Sequence, residues 1–203
     1  SRVERFLKRG FDYFFSIVAV AVLAPVWITA ALVILVVQGR PVLFRQIRIT
    51  RGGTRFTFYK FRTMVNGAHR RMRDAEISGL NTVKGPMFKC PADPRVTRVG
   101  RYLRRFSLDE IPQFFNVLKG DISVVGVRPP LPEETHCYEG WQRTRLSGWM
   151  GITGLWQVSG RSDLDFDDVV LLDLFYNSNF SFAMDLRIIW KTLGAVLSGK
   201  GAY

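Results

Sequence analysis

The longest apolar stretch of the chain covers residues 13–37, a run of 25 residues without a charged side chain. As a helix it would extend roughly 37 Å, at about 1.5 Å per residue, which is enough to cross the hydrocarbon core of a bilayer. It is too long for the apolar core of a signal peptide, and no cleavage site follows it. A simple transmembrane helix is therefore one interpretation.

Two features of this stretch favour a re-entrant helix instead. Pro25 stands in its middle, where a proline removes a helical hydrogen bond and bends the helix. Residues 2–9 carry four cations and one acid, and residues 40–62 carry seven cations and no acid. A spanning helix shows its excess of Lys and Arg on one side, so two basic flanks predict entry and exit on the same face. The hydroxyls of Ser16 and Thr29 are candidate partners for backbone groups at the break.

After residue 40 the pattern changes to that of a small α/β unit that is mostly helical. Apolar runs at residues 42–44 and 56–59, separated by Gly52 and Gly53, predict a β-hairpin. The helical and loop predictions that follow are a polar helix at residues 64–76, a loop at 81–94, a basic helix at 96–105, a helix ending near 145, and amphipathic helices at 166–176 and 182–197.

We therefore expect a re-entrant membrane anchor at residues 1–40 and a cytoplasmic α/β domain at residues 41–203, acting as one functional unit; the family resemblance described below makes the latter the catalytic domain. The chain has 29 Lys and Arg against 17 Asp and Glu, a net charge of +12. This charge predicts a polyanionic partner such as a phosphorylated substrate, anionic lipid or nucleic acid.

Cys90 and Cys137 form no C-x-x-C pair and the two histidines are far apart in the sequence. This pattern predicts reduced thiols, a cytosolic environment and no zinc site.

Several nucleotide, metal and hydrolase motifs are absent from the sequence. It contains no Walker A loop, no G-x-G-x-x-G, no H-E-x-x-H and no G-x-S-x-G. The acidic run at residues 163–168 begins like a calcium loop but lacks the required glycine and glutamate. Acids in the first turn of a helix, where the helix dipole favours them, explain most of this run.

The adjacent carboxylates Asp109 and Glu110 form the leading candidate site. Ser107 and Glu110 match a capping box, which would make the pair the start of a helix. That interpretation does not fully account for Asp109. Because arginines 101, 104 and 105 precede the pair, the alternative is a site in which the acids hold a divalent ion and the cations bind phosphate oxygens. Both interpretations remain open from the residues alone.

Three further cations occupy constrained positions. Lys60 and Arg62 share one face of an extended strand because side chains alternate along it. Cations on a strand face are usually solvated or lie on lipid head groups, so this pattern alone does not define a site. Arg128 stands in a rigid turn after Gly126 and before two prolines, which suits bidentate phosphate binding. A role in stabilising the turn fits that arginine equally well.

Taken in order, these segments resemble the bacterial sugar transferase family, the monotopic phosphoglycosyl transferases. The resemblance runs through "GRPVLFRQIRIT", "FTFYKFRTM", "SLDEIPQFFNVLKGDISVVGVRPPLPEE", "GITGLWQVSGR" and "MDLRIIWKTL", and it covers nearly all 203 residues. Many members read G-P-R-P where this chain has Val127, and many have a proline where Met150 stands. Neither departure removes a catalytic group, although both bear on loop rigidity or sugar preference.

The resemblance implies a fold, a location and a reaction. The fold is a re-entrant membrane helix broken at Pro25 beneath a small cytoplasmic αβ domain, at the inner membrane of a bacterium. The reaction transfers a sugar-1-phosphate from a UDP-sugar to polyprenyl phosphate, usually undecaprenyl phosphate, with Mg²⁺ and release of UMP. This is the first membrane step in the assembly of a bacterial polysaccharide or glycoconjugate.

The resemblance also implies roles for individual residues. Asp109 is the expected nucleophile, giving an aspartyl-phosphosugar that polyprenyl phosphate then attacks. Glu110 is expected to hold Mg²⁺ together with Asp109 or to assist proton transfer. The expected ligands of the substrate phosphates are Lys60, Arg62, Arg104 and Arg128.

A non-catalytic, membrane-anchored basic module that binds anionic lipid or nucleic acid is the alternative function. It would explain the charge and the anchor without using the two carboxylates. The transferase interpretation involves no nucleic acid. The sequence leaves open which UDP-sugar is used, which glycan pathway is served, whether the protein forms a homo-oligomer, and whether the chain is a natural short form or an excised domain.

Overall fold

The computed structural model describes residues 2–68, 85–86, 90, 92–160 and 164–198. In these residues the chain is mostly helical, with two small sheets. The helices are α1 (Arg2–Val22), α2 (Ala24–Gln38), α3 (Arg98–Arg105), α4 (Gln113–Lys119), α5 (Pro132–His136), α6 (Leu155–Ser159), α7 (Phe166–Ser178) and α8 (Phe182–Ser198). The strands are β1 (Leu43–Ile49), β2 (Arg55–Phe61), β3 (Ser123–Val125) and β4 (Gly151–Thr153).

The apolar N-terminal stretch is a bent helix pair. Helices α1 and α2 meet at Leu23 with a bend of 61°. Pro25 lies in the first turn of α2, where its missing N–H needs no helical partner. The predicted break is therefore confirmed. In the described part of the chain no single helix is long and apolar enough to cross a bilayer, and the two helices meet that test only as a pair.

Side chains satisfy part of the backbone at this bend. Thr29 Oγ1 donates to the Pro25 carbonyl oxygen at 2.7 Å, as expected for one of the two hydroxyls. Trp27 Nε1 donates across the break to the Val20 carbonyl oxygen at 3.4 Å. The expectation for Ser16 was wrong, because its buried hydroxyl makes no hydrogen bond to any described residue.

The first half of α1 is fixed to the rest of the protein by buried polar groups. Lys8 Nζ lies 2.6 Å from Asp185 Oδ2 on α8 and donates to the Val125 carbonyl oxygen at 3.0 Å. One turn later, Asp12 Oδ1 accepts a hydrogen bond from the Val124 amide at 3.1 Å. A buried charge is stable only when it is paired and hydrogen-bonded, so these contacts fix how far α1 protrudes from the core.

The predicted hairpin is confirmed. Strands β1 and β2 are antiparallel, from Leu43 opposite Phe61 to Ile49 opposite Arg55, and a short 3₁₀ turn at Arg51–Gly53 joins them. Gly52 and Gly53 both have positive φ values, of 74° and 83°, which favour glycine. Alternation along β2 buries Phe56 and Phe58 and places Lys60 on the same face, at the end of that row.

The core lies between the hairpin, the second sheet and the C-terminal helices. Strands β3 and β4 are parallel, with Ser123 opposite Gly151. A Cβ on Gly151 would lie 2.1 Å from the Gly126 amide nitrogen, so the two chain segments meet too closely for a side chain. The main cluster of buried side chains comprises Phe56, Phe58, Val117, Ile122, Val124, Val125, Val127, Met150, Tyr176 and Ile188.

The helical predictions have mixed outcomes. The last two helices are confirmed, and the basic helix begins at Arg98 after Thr97, whose hydroxyl accepts from the Gly100 amide at 2.9 Å. The single helix predicted to end near residue 145 is wrong, because α5 stops at His136 and a 3₁₀ segment follows at Gln142–Ser147.

Two further predictions fall largely outside the described residues. The polar helix at residues 64–76 does not begin where we expected, because Met64 forms an isolated antiparallel bridge with Val96. Residues 69–76 of that helix, and most of the predicted loop at 81–94, lie outside the described residues. The division into an anchor at residues 1–40 and a domain at residues 41–203 stays a prediction.

Candidate active site

The two carboxylates stand in a tight turn between α3 and α4. Ser107 adopts the left-handed conformation, with φ of 52°, which is uncommon for a residue other than glycine. A short 3₁₀ segment, Leu108–Glu110, follows it, and the Glu110 amide donates to the Ser107 carbonyl oxygen at 3.1 Å. The predicted capping box is wrong, because the Ser107 side chain caps nothing and the next helix begins only at Gln113.

Asp109 is buried beside a lysine from the hairpin. Its residue exposure is 6%, whereas the side chain of Glu110 is about a third exposed, at 31%. Lys60 Nζ lies 2.6 Å from Glu110 Oε1 and 3.7 Å from Asp109 Oδ2. Burial raises the pKa of Asp109, and the positive charge of Lys60 acts against that rise. Lys60 therefore favours the ionised form of a carboxylate that has lost most of its contact with water.

Arg104 reaches the same neighbourhood from α3. Its Nε donates to Thr63 Oγ1 at 3.0 Å, just beyond the end of β2. Helix α3 packs closely here, since a Cβ on Gly100 would lie 2.0 Å from the Thr63 carbonyl oxygen. Burial lowers the pKa of Arg104, and the negative charge of Asp109 opposes that effect. The two side chains therefore share one electrostatic environment.

Arg62 contacts the end of α2. Strand β2 ends at Phe61, and the buried guanidinium of Arg62 donates to the carbonyl oxygens of Gln38 and Gly39 at 2.6 and 2.8 Å. These are the carbonyl groups at the C-terminal end of α2, which need partners outside the helix. The contacts favour a role in holding the end of α2, and the role of Arg62 as a phosphate ligand stays a prediction.

Arg128 lies in the turn after β3, paired with a buried carboxylate. Its Nη1 is 3.3 Å from Glu134 Oε2 and 3.4 Å from Glu134 Oε1. Glu134 also accepts the Leu131 amide at 3.0 Å, so it fixes the turn as well as the arginine. The Arg128 side chain keeps 29% exposure. The guanidinium is therefore partly accessible to solvent and restrained by Glu134, and its role as a phosphate ligand stays a prediction.

Arg48 is a neighbouring arginine that the sequence reasoning missed. It is buried on β1, where Nη1 donates to the Pro129 carbonyl oxygen at 2.7 Å and Nη2 to Gln46 Oε1 at 2.9 Å. Burial lowers the pKa of Arg48 and the charge of Arg128 lowers it further, whereas Glu134 and Glu110 act in the opposite direction. The available signal was the Q-x-R pattern, which puts the glutamine and the arginine on one face of the strand.

The structure thus brings Lys60, Asp109 and Glu110 into contact. Arg104 interacts electrostatically with Asp109 and Glu110, whereas the ion pair of Arg128 is with Glu134. Among the described residues no three His, Cys, Asp or Glu side chains form a complete metal site. Mg²⁺ commonly takes one or two protein carboxylates and completes its shell with substrate phosphates and water. Asp109 and Glu110 both face one cation, the Lys60 ammonium, and could offer their oxygens to a metal ion in the same way, so Mg²⁺ at this pair stays a prediction.

The chain belongs to the bacterial sugar transferase family. The model of the family described as "Bacterial sugar transferase" matches residues 3–199. The match includes the bent helix pair, the hairpin and the turn that carries both carboxylates.

Individual relatives carry names of sugar transferases. The galactosyl transferase CpsE of Streptococcus agalactiae is 48% identical over 166 residues, which are 81% of this chain and 36% of that protein. The undecaprenyl-phosphate galactose phosphotransferase of Salmonella typhimurium is 40% identical, over 100% of this chain and 43% of that protein. The exopolysaccharide production protein ExoY of Sinorhizobium fredii is 35% identical, over 97% of this chain and 88% of that protein. The chain therefore spans less than half the length of the first two relatives.

The contact between Lys60 and the acids predicts a change in the titration of Asp109. Replacing Lys60 by methionine removes the nearby positive charge that favours the carboxylate form, so the pKa of Asp109 should rise. Carbon-13 NMR of the aspartate carboxyl groups, assigned with Asp109→Asn, measures this change. Lys119→Met, which removes an exposed lysine on α4, is the matched control and should leave that titration unchanged. An unaltered titration of Asp109 in Lys60→Met would contradict the electrostatic role of Lys60.

Proposed function

We propose that this protein is a phosphoglycosyl transferase that moves a sugar-1-phosphate from a UDP-sugar to undecaprenyl phosphate and releases UMP. The observation that carries the proposal is a buried carboxylate, Asp109, that lies beside Lys60 and interacts electrostatically with Arg104. The names of two relatives support the reaction class, since these proteins are described as undecaprenyl-phosphate phosphotransferases of galactose and N-acetylgalactosamine. The product would be the first lipid-linked sugar of a bacterial polysaccharide or glycoconjugate.

In the proposed first step, an Asp109 carboxylate oxygen attacks the β-phosphorus of the UDP-sugar. A bond forms between that oxygen and the phosphorus, the bond from the β-phosphorus to the bridging oxygen breaks, and UMP leaves. In the second step an oxygen of undecaprenyl phosphate attacks the same phosphorus, and the carboxylate of Asp109 is released. Splitting the displacement in this way replaces one difficult step with two easier ones.

The cations around Asp109 would act on the phosphates of both substrates. Lys60 would keep the nucleophile ionised, and the guanidinium groups of Arg104 and Arg128 would bind phosphate oxygens as charge develops on them. Arg62 is a further candidate for this task. Asp109 and Glu110 would hold Mg²⁺, which supplies additional neutralisation of phosphate charge when bound.

The bent helix pair would place this site at the membrane surface. The outward side chains of α2 are apolar and exposed, among them Leu32, Val36 and Val37. Lys8 anchors the start of α1 to the core and Arg62 anchors the end of α2, so both ends of the arm return to the same body. A re-entrant arm at the cytoplasmic face of the inner membrane would thus bring the site to the phosphate of a lipid substrate.

The alternative, a non-catalytic basic module, is not favoured. Such a module needs positive charge at its surface, and it has no use for a carboxylate that is costly to bury. Removing that carboxylate distinguishes the two functions, because a protein that only binds anions does not need Asp109 and should keep its binding without it.

Asp109→Asn should abolish transfer. The amide is a poor nucleophile, so we expect UMP release from UDP-galactose and undecaprenyl phosphate to fall by more than about a thousandfold. Coupled detection of UMP measures the rate, and screening other UDP-sugars identifies the preferred donor. Asp168→Asn, which neutralises an exposed acid on α7, should retain the wild-type rate. A near-normal rate in Asp109→Asn would refute the proposed mechanism.

The re-entrant arm predicts that both of its flanks face the cytoplasm. Single cysteines introduced by Arg5→Cys and Arg45→Cys, in a chain whose Cys90 and Cys137 are replaced by serine, should respond alike. An impermeant maleimide should label neither position in intact spheroplasts and both positions after permeabilisation. Labelling of the two positions from opposite sides of the membrane would show a spanning helix instead.

A further inference from the structure

In the part of the chain that the structure describes, a side chain rather than a strand satisfies the outer edge of β2. Strand β1 pairs with one edge of β2. At the other edge, Asn116 Oδ1 accepts a hydrogen bond from the Tyr59 amide at 3.1 Å, and Asn116 Nδ2 donates to the Thr57 carbonyl oxygen at 2.7 Å. A side-chain amide offers the same donor and acceptor as a peptide group, so Asn116 takes the place of one residue of a neighbouring strand.

Every polar atom of this side chain is used. Asn116 has no exposed surface, and Nδ2 also donates to Asp121 Oδ2 at 2.9 Å. Burying an amide costs free energy unless its hydrogen bonds are made. The position of the Asn116 side chain is therefore fixed relative to β2. Apolar packing alone would fix the position of β2 along α4 less precisely, because apolar contacts are not directional.

Asn116 connects the two elements that supply the reacting groups. Lys60 directly follows Tyr59 on β2, and α4 directly follows the turn that holds Asp109 and Glu110. A shift of β2 along α4 would therefore move the Lys60 ammonium away from both carboxylates. A second contact between these elements, from Lys119 Nζ to the Tyr59 hydroxyl at 2.9 Å, is exposed to solvent and less able to prevent such a shift.

We propose that Asn116 is a positioning residue that fixes the Lys60 ammonium against Asp109 and Glu110. The effect of Asn116 on catalysis rests on the proposed function, whereas the contact of Asn116 with the edge of β2 does not. Asn116 touches neither substrate nor the reacting atoms in this account, and it acts through Lys60.

A double-mutant cycle separates this role from a merely structural one. Because misplacing a catalytic group by about 1 Å can cost on the order of a hundredfold in rate, Asn116→Leu should lower kcat for UMP release by about 10- to 100-fold. The KM for UDP-galactose should change by less than about threefold. In a Lys60→Met background the same substitution should lower kcat by less than about twofold, since residues that act as a unit are not additive.

Val117→Ala is the matched control. Val117 is equally buried on the next position of α4, and its side chain belongs to the apolar cluster with Phe56 and Phe58. It should lower the unfolding temperature while leaving kcat within about twofold of the wild type. Where Asn116→Leu does not fold, Asn116→Ala serves instead, because it removes both hydrogen bonds to β2 without adding a charge beside Asp121. The proposal is overturned if the free-energy costs in kcat of the Asn116 and Lys60 substitutions are fully additive in the double variant.

Hydrogen exchange gives a readout that does not depend on activity. The Tyr59 amide should be protected in the wild type and in Val117→Ala, and it should exchange faster in Asn116→Leu or Asn116→Ala. Unchanged protection would refute the contact. If the wild type released no UMP from any UDP-sugar tested, the proposed function would fail, and the exchange of Tyr59 would still decide whether Asn116 holds the strand edge.

Discussion

The proposed chemistry of this protein depends on the Lys60 ammonium, which lies 2.6 Å from Glu110 and 3.7 Å from Asp109. A carboxylate withdrawn from water stays ionised only near a compensating charge, and a strand from elsewhere in the chain supplies that charge here. The hairpin, the left-handed turn at Ser107 and the amide of Asn116 all bear on this one distance. These local elements together hold the lysine close to the two acids.

The same body also holds both ends of the apolar arm. Lys8 and Asp12 join α1 to β3 and α8, and Arg62 joins the end of α2 to the residues after β2. The arm and the site therefore share a scaffold, and the position of one constrains the position of the other. For a reaction between a water-soluble nucleotide sugar and a lipid phosphate, this coupling would place the reacting carboxylate at a defined depth relative to the bilayer.

Local patterns predicted the parts of the fold that local physics determines. The break at Pro25 follows from a missing donor, and the hairpin follows from alternation and two glycines. The capping box failed because Ser107 adopts a left-handed conformation that the sequence pattern does not reveal. The positions of Arg48 and Asn116 could not be predicted either, since their partners lie far away in the chain. The resemblance to known transferases singled out Asp109, and the structure shows it buried beside Lys60.

The proposed mechanism requires a covalent bond between Asp109 and the transferred phosphosugar. Its most direct test is the intact mass of the protein after incubation with UDP-galactose, or another accepted donor, in the absence of undecaprenyl phosphate. We predict a mass increase equal to one phosphosugar in the wild type and no increase in Asp109→Asn. An unchanged mass in a preparation that releases UMP only when the lipid phosphate is also present would contradict this mechanism and indicate direct attack by the lipid.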